Sequence, residues 1–172
     1  MPIEAENSIR QKIADLSPRK TARMAGLFYL IFILTTALAS VVRSRIIVSG
    51  DAAATANNIM GSELFFRFGF VTELVSALFF VLTAWAFYAL LKPVNKNLAL
   101  LFLLLNLGGV AVECLNALNL FAALQFLSGA NYLSVFQTGQ LQAMAMSSLN
   151  LYTSGFLIAQ IFLALGYFLL VT

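Results

Sequence analysis

Two carboxylates lie inside apolar stretches where an acid is costly, Glu73 in the run 68–91 and Glu113 in the run 98–127. An ionised carboxylate in hydrocarbon costs several kcal/mol, so such residues face a bundle interior, a partner or water, and they are natural candidates for holding a proton or an ion. Counted at about 1.5 Å per residue from the turn between the two runs, Glu73 lies about 28 Å along one helix and Glu113 about 24 Å along the next. In an antiparallel hairpin the two are nearly level, in the outer third of a membrane rather than at its centre. Gly69, Glu73, Ser76 and Thr83 share one helical face, and Asn106, Gly109, Glu113 and Asn116 share another. Facing stripes of small and polar residues permit close packing. Two carboxyls brought together at low dielectric do not both ionise readily, so the pair is a candidate for sharing a proton. Arg67, about one and a half turns outward of Glu73, is the alternative counter-charge, reaching across to the next span.

The cluster of Glu73, Glu113, Asn106, Asn116 and Arg67 therefore has two readings. One is a proton or ion site. The other, which the residue types favour, is helix packing, because intramembrane Glu and Asn often tie helices together by hydrogen bonds. Asn119, Gln125, Asn150 and Gln160 read as structural for the same reason. The rest of the sequence offers little chemistry. The chain has no histidine and one cysteine, Cys114, which removes the commonest general base, the commonest metal ligand and any intramolecular disulfide. Gly108-Gly109 lacks the strand and helix context of a phosphate loop and reads as a close helix contact. No catalytic residue, cofactor or metal is expected.

The elements that must position these residues are membrane spans. Four stretches, about 24–42, 68–91, 98–127 and 149–171, carry almost no charge, and a helix needs roughly 20 apolar residues to cross a hydrocarbon core. A chain of 172 residues that is 61% hydrophobic and 10% charged lies outside the range of soluble domains. Its mean hydropathy of +0.92 agrees. The net charge of +3 is not a nucleic-acid signal, because seven of the ten Lys and Arg residues lie before the first span or in the second connection. That asymmetry predicts a cytoplasmic N-terminus, with Arg19, Lys20, Arg23, Lys92 and Lys96 meeting lipid head groups. The first connection, with Arg43, Arg45 and Arg67, then faces outward. Ala37-Leu38-Ala39 fits a small-x-small cleavage site, but the basic region before it is long and the apolar run continues past it. The first span is expected to be retained.

Residues 1–17 read as a cytoplasmic or membrane-surface arm, and 18–172 as the transmembrane domain. Ser17-Pro18 reads as an N-cap followed by proline at the first helical position. Gly50-Asp51 is expected to cap a short Ala-rich surface helix closing at Gly61, with Ser62 opening the next span. Pro93 forbids further helix and sets a tight turn, which makes the second and third spans antiparallel neighbours. The third connection, 128–148, also reads as a surface helix, so a hairpin of span, surface segment and span occurs twice.

The run Ser17-Pro18-Arg19-Lys20-Thr21-Ala22-Arg23, followed by Ala25-Gly26-Leu27 and Tyr29-Leu30, resembles the opening of a bacterial family catalogued as domain of unknown function 4386. Further matches follow in order: Val42-Arg43-Ser44-Arg45, Gly50-Asp51-Ala52-Ala53-Ala54-Thr55-Ala56, Phe66-Arg67-Phe68-Gly69 before Glu73-Leu74, Leu91 to Leu101, Asn119-Leu120-Phe121-Ala122 and Ser154-Gly155-Phe156-Leu157-Ile158. The resemblance implies a multi-pass membrane protein without an assigned activity, and it supplies no site residues. Family members continue through further spanning helices, so it also implies a chain shortened after its fourth.

The sequence is thus read as an all-α integral membrane bundle of four transmembrane helices with short amphipathic surface helices, in a bacterial plasma membrane. Its expected role is structural or interacting, non-enzymatic, with the lipid bilayer, another copy or a second membrane protein as partner and no nucleic acid. The alternative is a small transporter or proton-linked permease using Glu73 and Glu113.

Overall fold

The computed structural model describes residues 17–168. The expected arm 1–17, apart from Ser17, and the last residues of the expected fourth span lie outside the described residues. The described chain is helical throughout: α1 (Pro18–Ile46), α2 (Ala52–Gly61), α3 (Glu63–Leu91), α4 (Lys96–Asn116), α5 (Leu118–Phe126), a 3-10 turn (Asn131–Leu133) and α6 (Thr138–Phe168). Pro18–Ile46, Glu63–Leu91, Lys96–Phe126 and Thr138–Phe168 are long and apolar enough to cross a membrane.

Local chemistry sets most boundaries. α1 starts at Pro18, although Ser17 makes no side-chain capping bond. The Asp51 carboxylate accepts from Ala54 N at 2.8 Å and opens α2. Asn95 Oδ1 accepts from Asn97 N and Leu98 N, both at 3.1 Å, and opens α4 directly after the turn at Pro93. Two boundaries differ from the sequence reading. α1 continues through Arg43 and Arg45 to Ile46, because apolar residues resume after them and α2 satisfies its last carbonyls: Asn58 Nδ2 donates to Ile46 O at 3.0 Å. In the third connection only the 3-10 turn stands apart. The stretch expected as a separate surface helix is the first part of α6 from Thr138, so the surface segments of the two hairpins are not alike.

The third span is interrupted at Ala117. There Leu120 N bonds Ala117 O at 3.1 Å in place of the carbonyl one residue earlier. The Asn116 carbonyl instead accepts from Asn119 Nδ2 at 3.2 Å. A side-chain amide inserted into the ladder is an ordinary cause of such a break.

The helices pack as two antiparallel pairs. In the first, Phe32 meets Phe80 with ring centroids 4.7 Å apart, the Thr36 and Ser76 hydroxyls bond each other, and Val42 fills the space over Gly69. In the second, Asn106 lies against Gly166, Gly109 against Ala159 and Leu163, and Asn116 against Gly155. The facing stripes inferred from sequence are therefore reassigned: that of α3 packs on α1 and that of α4 on α6. The turn at Pro93 and the Phe87–Phe102 ring contact join the pairs at one end. At the other end α2 and α5 close over them, with Ile46, Ile59, Phe66, Leu120, Leu124 and Leu149 in one apolar core.

The burial pattern suits lipid as solvent. Half of the buried apolar residues are alanine, while Leu27, Leu30 and Leu34 of α1 and Leu157, Ile158 and Ile161 of α6 are exposed. Small residues inside let backbones approach, and large ones outside face hydrocarbon at no cost. The protein is a membrane protein by this architecture. Arg19, Lys20, Arg23, Lys92 and Lys96 are all exposed, at the end of the bundle that holds the start of α1 and the turn.

A Cβ added at Gly155 would fall well inside van der Waals contact of the Asn116 carboxamide, whereas one at Gly139 meets nothing within 4 Å. Gly155→Ala is expected to lower unfolding stability in detergent by about 1–3 kcal/mol, the usual cost of overpacking. Gly139→Ala should leave it unchanged, and adding Asn116→Ala to Gly155→Ala should recover part of the loss.

Candidate ion site between the helix pairs

Each spanning helix contributes polar side chains to the seam between the pairs. From α1, Arg43 Nη1 donates to Glu73 Oε2 of α3. From α6, Tyr152 Oη donates to Glu73 Oε1 at 2.7 Å. The Arg43 guanidinium also lies over the Tyr152 ring, 5.1 Å from its centroid. Both Glu73 oxygens are thus engaged, and the side chain is only 5% exposed against 19% for Arg43. From α4, Asn116 Nδ2 donates to the Tyr152 carbonyl at 2.8 Å, holding the tyrosine from behind.

Glu113 is different. Both its carboxyl oxygens are buried and neither has a hydrogen-bond partner among the described residues. The groups that face it are Glu73 from α3, Arg43 from α1 and Tyr152 from α6. Glu73 and Glu113 line one cavity of about 60 Å³, together with Phe32, Thr36 and Ser76 on one side and Val110, Phe156 and Gln160 on the other. A water needs about 10–15 Å³ on this measure, so the cavity admits a small ligand or a few waters.

The residues singled out in sequence are placed unequally. Glu73 and Glu113 are brought to one cavity, as their level along the helices implied. Asn116 is one turn from Glu113 and belongs to the Tyr152 contact. Asn106 lies two turns away, fully buried, with Nδ2 on Phe102 O at 2.7 Å and Oδ1 unpartnered, outside the cavity. Arg67 does not reach across to α4. It pairs with Glu63 one turn earlier on α3, Nε to Oε1 at 2.7 Å, with both side chains about half exposed. Its face of α3 points away from the seam, which leaves the inward position to Arg43. Gln160, read as structural, lines the cavity.

Arg43 and Tyr152 were not selected from sequence. Arg43 falls in the outward connection when the first span is taken to end at Val42. Its signal was the face it shares with Thr36, Ala39 and Ile46 at helical spacing, all on the buried side of α1. Tyr152 carried no such signal, since a tyrosine near a span end is ordinary. Cys114 is exposed on the outer face of α4. No group of three or more Asp, Glu or Cys side chains with metal-binding geometry occurs among the described residues.

Breaking a buried ion pair by removing one partner typically costs about 3–5 kcal/mol, whereas an exposed pair is worth about 1 kcal/mol or less. Arg43→Leu is therefore expected to be severely destabilising in a detergent unfolding titration. Arg43→Leu combined with Glu73→Leu should recover much of the loss, and Arg67→Leu should stay within about 1 kcal/mol of the parent.

No curated protein and no solved structure matches this chain. The family model described as Domain of unknown function (DUF4386) matches residues 24–172, so the chain belongs to that family.

Proposed function

We propose that this protein is a small ion-linked transporter or proton-linked permease, in which Glu113 is the exchanging carboxyl and Glu73 a fixed positioning group. The observation that carries the reading is the pair of buried Glu113 oxygens without a donor, placed on a cavity between the two helix pairs. A carboxylate withdrawn from water is tolerated only with compensation, and here Arg43 is already committed to Glu73. The charge of Glu113 is then met by a proton or by a ligand cation. The break at Ala117, within about one turn of Glu113 by helix geometry, supports the same reading, because discontinuous spans commonly line transporter sites.

The reading is non-enzymatic. It sets the protein in a bacterial plasma membrane with the N-terminus cytoplasmic, on the strength of the exposed basic residues gathered at one end of the bundle. A structural or interaction role is the second reading. It is favoured by how completely Glu73, Asn116 and the glycines are consumed in joining helices. Another copy or a different membrane protein would then be the partner.

Proteoliposomes holding a pH-sensitive dye separate the two. Under an imposed gradient of sodium or methylammonium, the protein should add a saturable proton flux over empty vesicles. Glu113→Gln should abolish it while the protein stays folded, and Arg67→Gln should not. A flux no greater than that of empty vesicles, or one unaffected by Glu113→Gln, would favour the structural role.

A further inference from the structure

The lining of the cavity discriminates among cations. Since Arg43 balances Glu73, one negative charge is left at Glu113, so a single positive charge completes the site. A hard metal ion wants about six oxygen ligands in regular geometry. The cavity offers few that are not already bonded: the Thr36 and Ser76 hydroxyls bond each other, and each Glu73 oxygen already accepts one hydrogen bond. The rest of the lining is apolar apart from the Gln160 amide, and it includes three aromatic rings, Phe32, Phe80 and Phe156. Phe32 and Phe80 pack together as one wall, their centroids 4.7 Å apart. Ring faces attract cations and shelter alkyl groups, which suits an organic ammonium better than a dehydrated metal ion. The volume of about 60 Å³ limits the ligand to a few heavy atoms.

We propose that the cavity binds a small alkylammonium monocation, with Glu113 as counter-charge, Gln160 accepting an N–H and the three phenylalanines enclosing the alkyl group. The proposal names the substrate class of the exchange site and rests on the reading of Glu113 as the exchanging carboxyl. On this account ligand entry displaces a proton from Glu113, so uptake of one cation is matched by release of one proton. Tetramethylammonium has no N–H to donate to Glu113 or Gln160.

The test is calorimetric titration of the full chain in lipid nanodiscs with methylammonium, sodium and tetramethylammonium chlorides at constant ionic strength. Methylammonium should give a saturable heat, several-fold tighter than sodium, with no saturation by tetramethylammonium and none by methylammonium in Glu113→Gln. The absence of a saturable methylammonium signal, an equal response to sodium, or an unchanged response in Glu113→Gln would overturn the site. Should Glu113→Gln fail to fold, Phe156→Leu keeps an apolar side chain but removes the ring. Its methylammonium affinity should drop several-fold, and an unchanged affinity counts against the proposal. Methylammonium binding without any proton flux in vesicles would uphold the site and reject the transporter reading. Proton flux with no methylammonium binding would do the reverse.

Discussion

The contact on which the bundle depends is the buried grip of Arg43 and Tyr152 on Glu73. Taking an arginine and a glutamate out of water costs several kcal/mol per ion, and their attraction offsets this only when the remaining hydrogen-bonding capacity is filled. Here the second carboxylate oxygen is filled by the tyrosine, and the guanidinium rests on the same aromatic ring. Three helices are registered at once. A slip of one residue in α1 would turn Arg43 by about 100° around the helix axis and drive a cation toward lipid. Few other contacts in an apolar bundle are so intolerant of error.

The surrounding packing is arranged so that this contact stays dry. On the side of α2, the apolar core of Ile46, Ile59, Phe66, Leu120 and Leu149 closes over the seam. That core in turn needs α2 held down. Thr55 is buried with its hydroxyl shared between the backbone N–H and carbonyl of Val48, and Asn58 takes the Ile46 carbonyl. The loose ends of α1 are thereby spent on fixing the lid of the polar seam. Within the pairs, Gly69 and Gly155 bring backbones close enough for the polar side chains to reach their partners.

How much of this was legible in the sequence depends on the kind of signal. The four spans were plain, because length and hydropathy suffice for a helix in lipid. The cap at Asp51 and the turn at Pro93 were equally readable, since each rests on the chemistry of one residue. The level of Glu73 and Glu113 followed from counting along an antiparallel hairpin. Partner choice did not follow. Which arginine meets Glu73 depends on whether α1 ends at Val42 or Ile46, and that is decided by α2, a tertiary contact. Arg67 is nearer to Glu73 in sequence, yet it lies on the wrong face of α3 and finds Glu63 instead. The break at Ala117 was also hidden, because Ala and Leu around it favour helix, and what marks it is the Asn119 amide on the Asn116 carbonyl.

The two glutamates thus line one cavity but differ in what holds them. Glu73 has both oxygens held by groups on two other helices, so releasing either would strand a buried arginine or a buried hydroxyl. Any change of charge or position there is opposed by the whole seam. Glu113 has no such obligations, and the helix that carries it is interrupted within one turn of the carboxyl, where the backbone already departs from the regular ladder. A group that must gain and lose a partner should sit where neither state is locked by the fold. On the proposed reading the fixed pair has a second use beyond tying helices: with the Arg43 guanidinium bonded to Glu73, the Glu113 carboxyl has no ion pair of its own and faces the cavity.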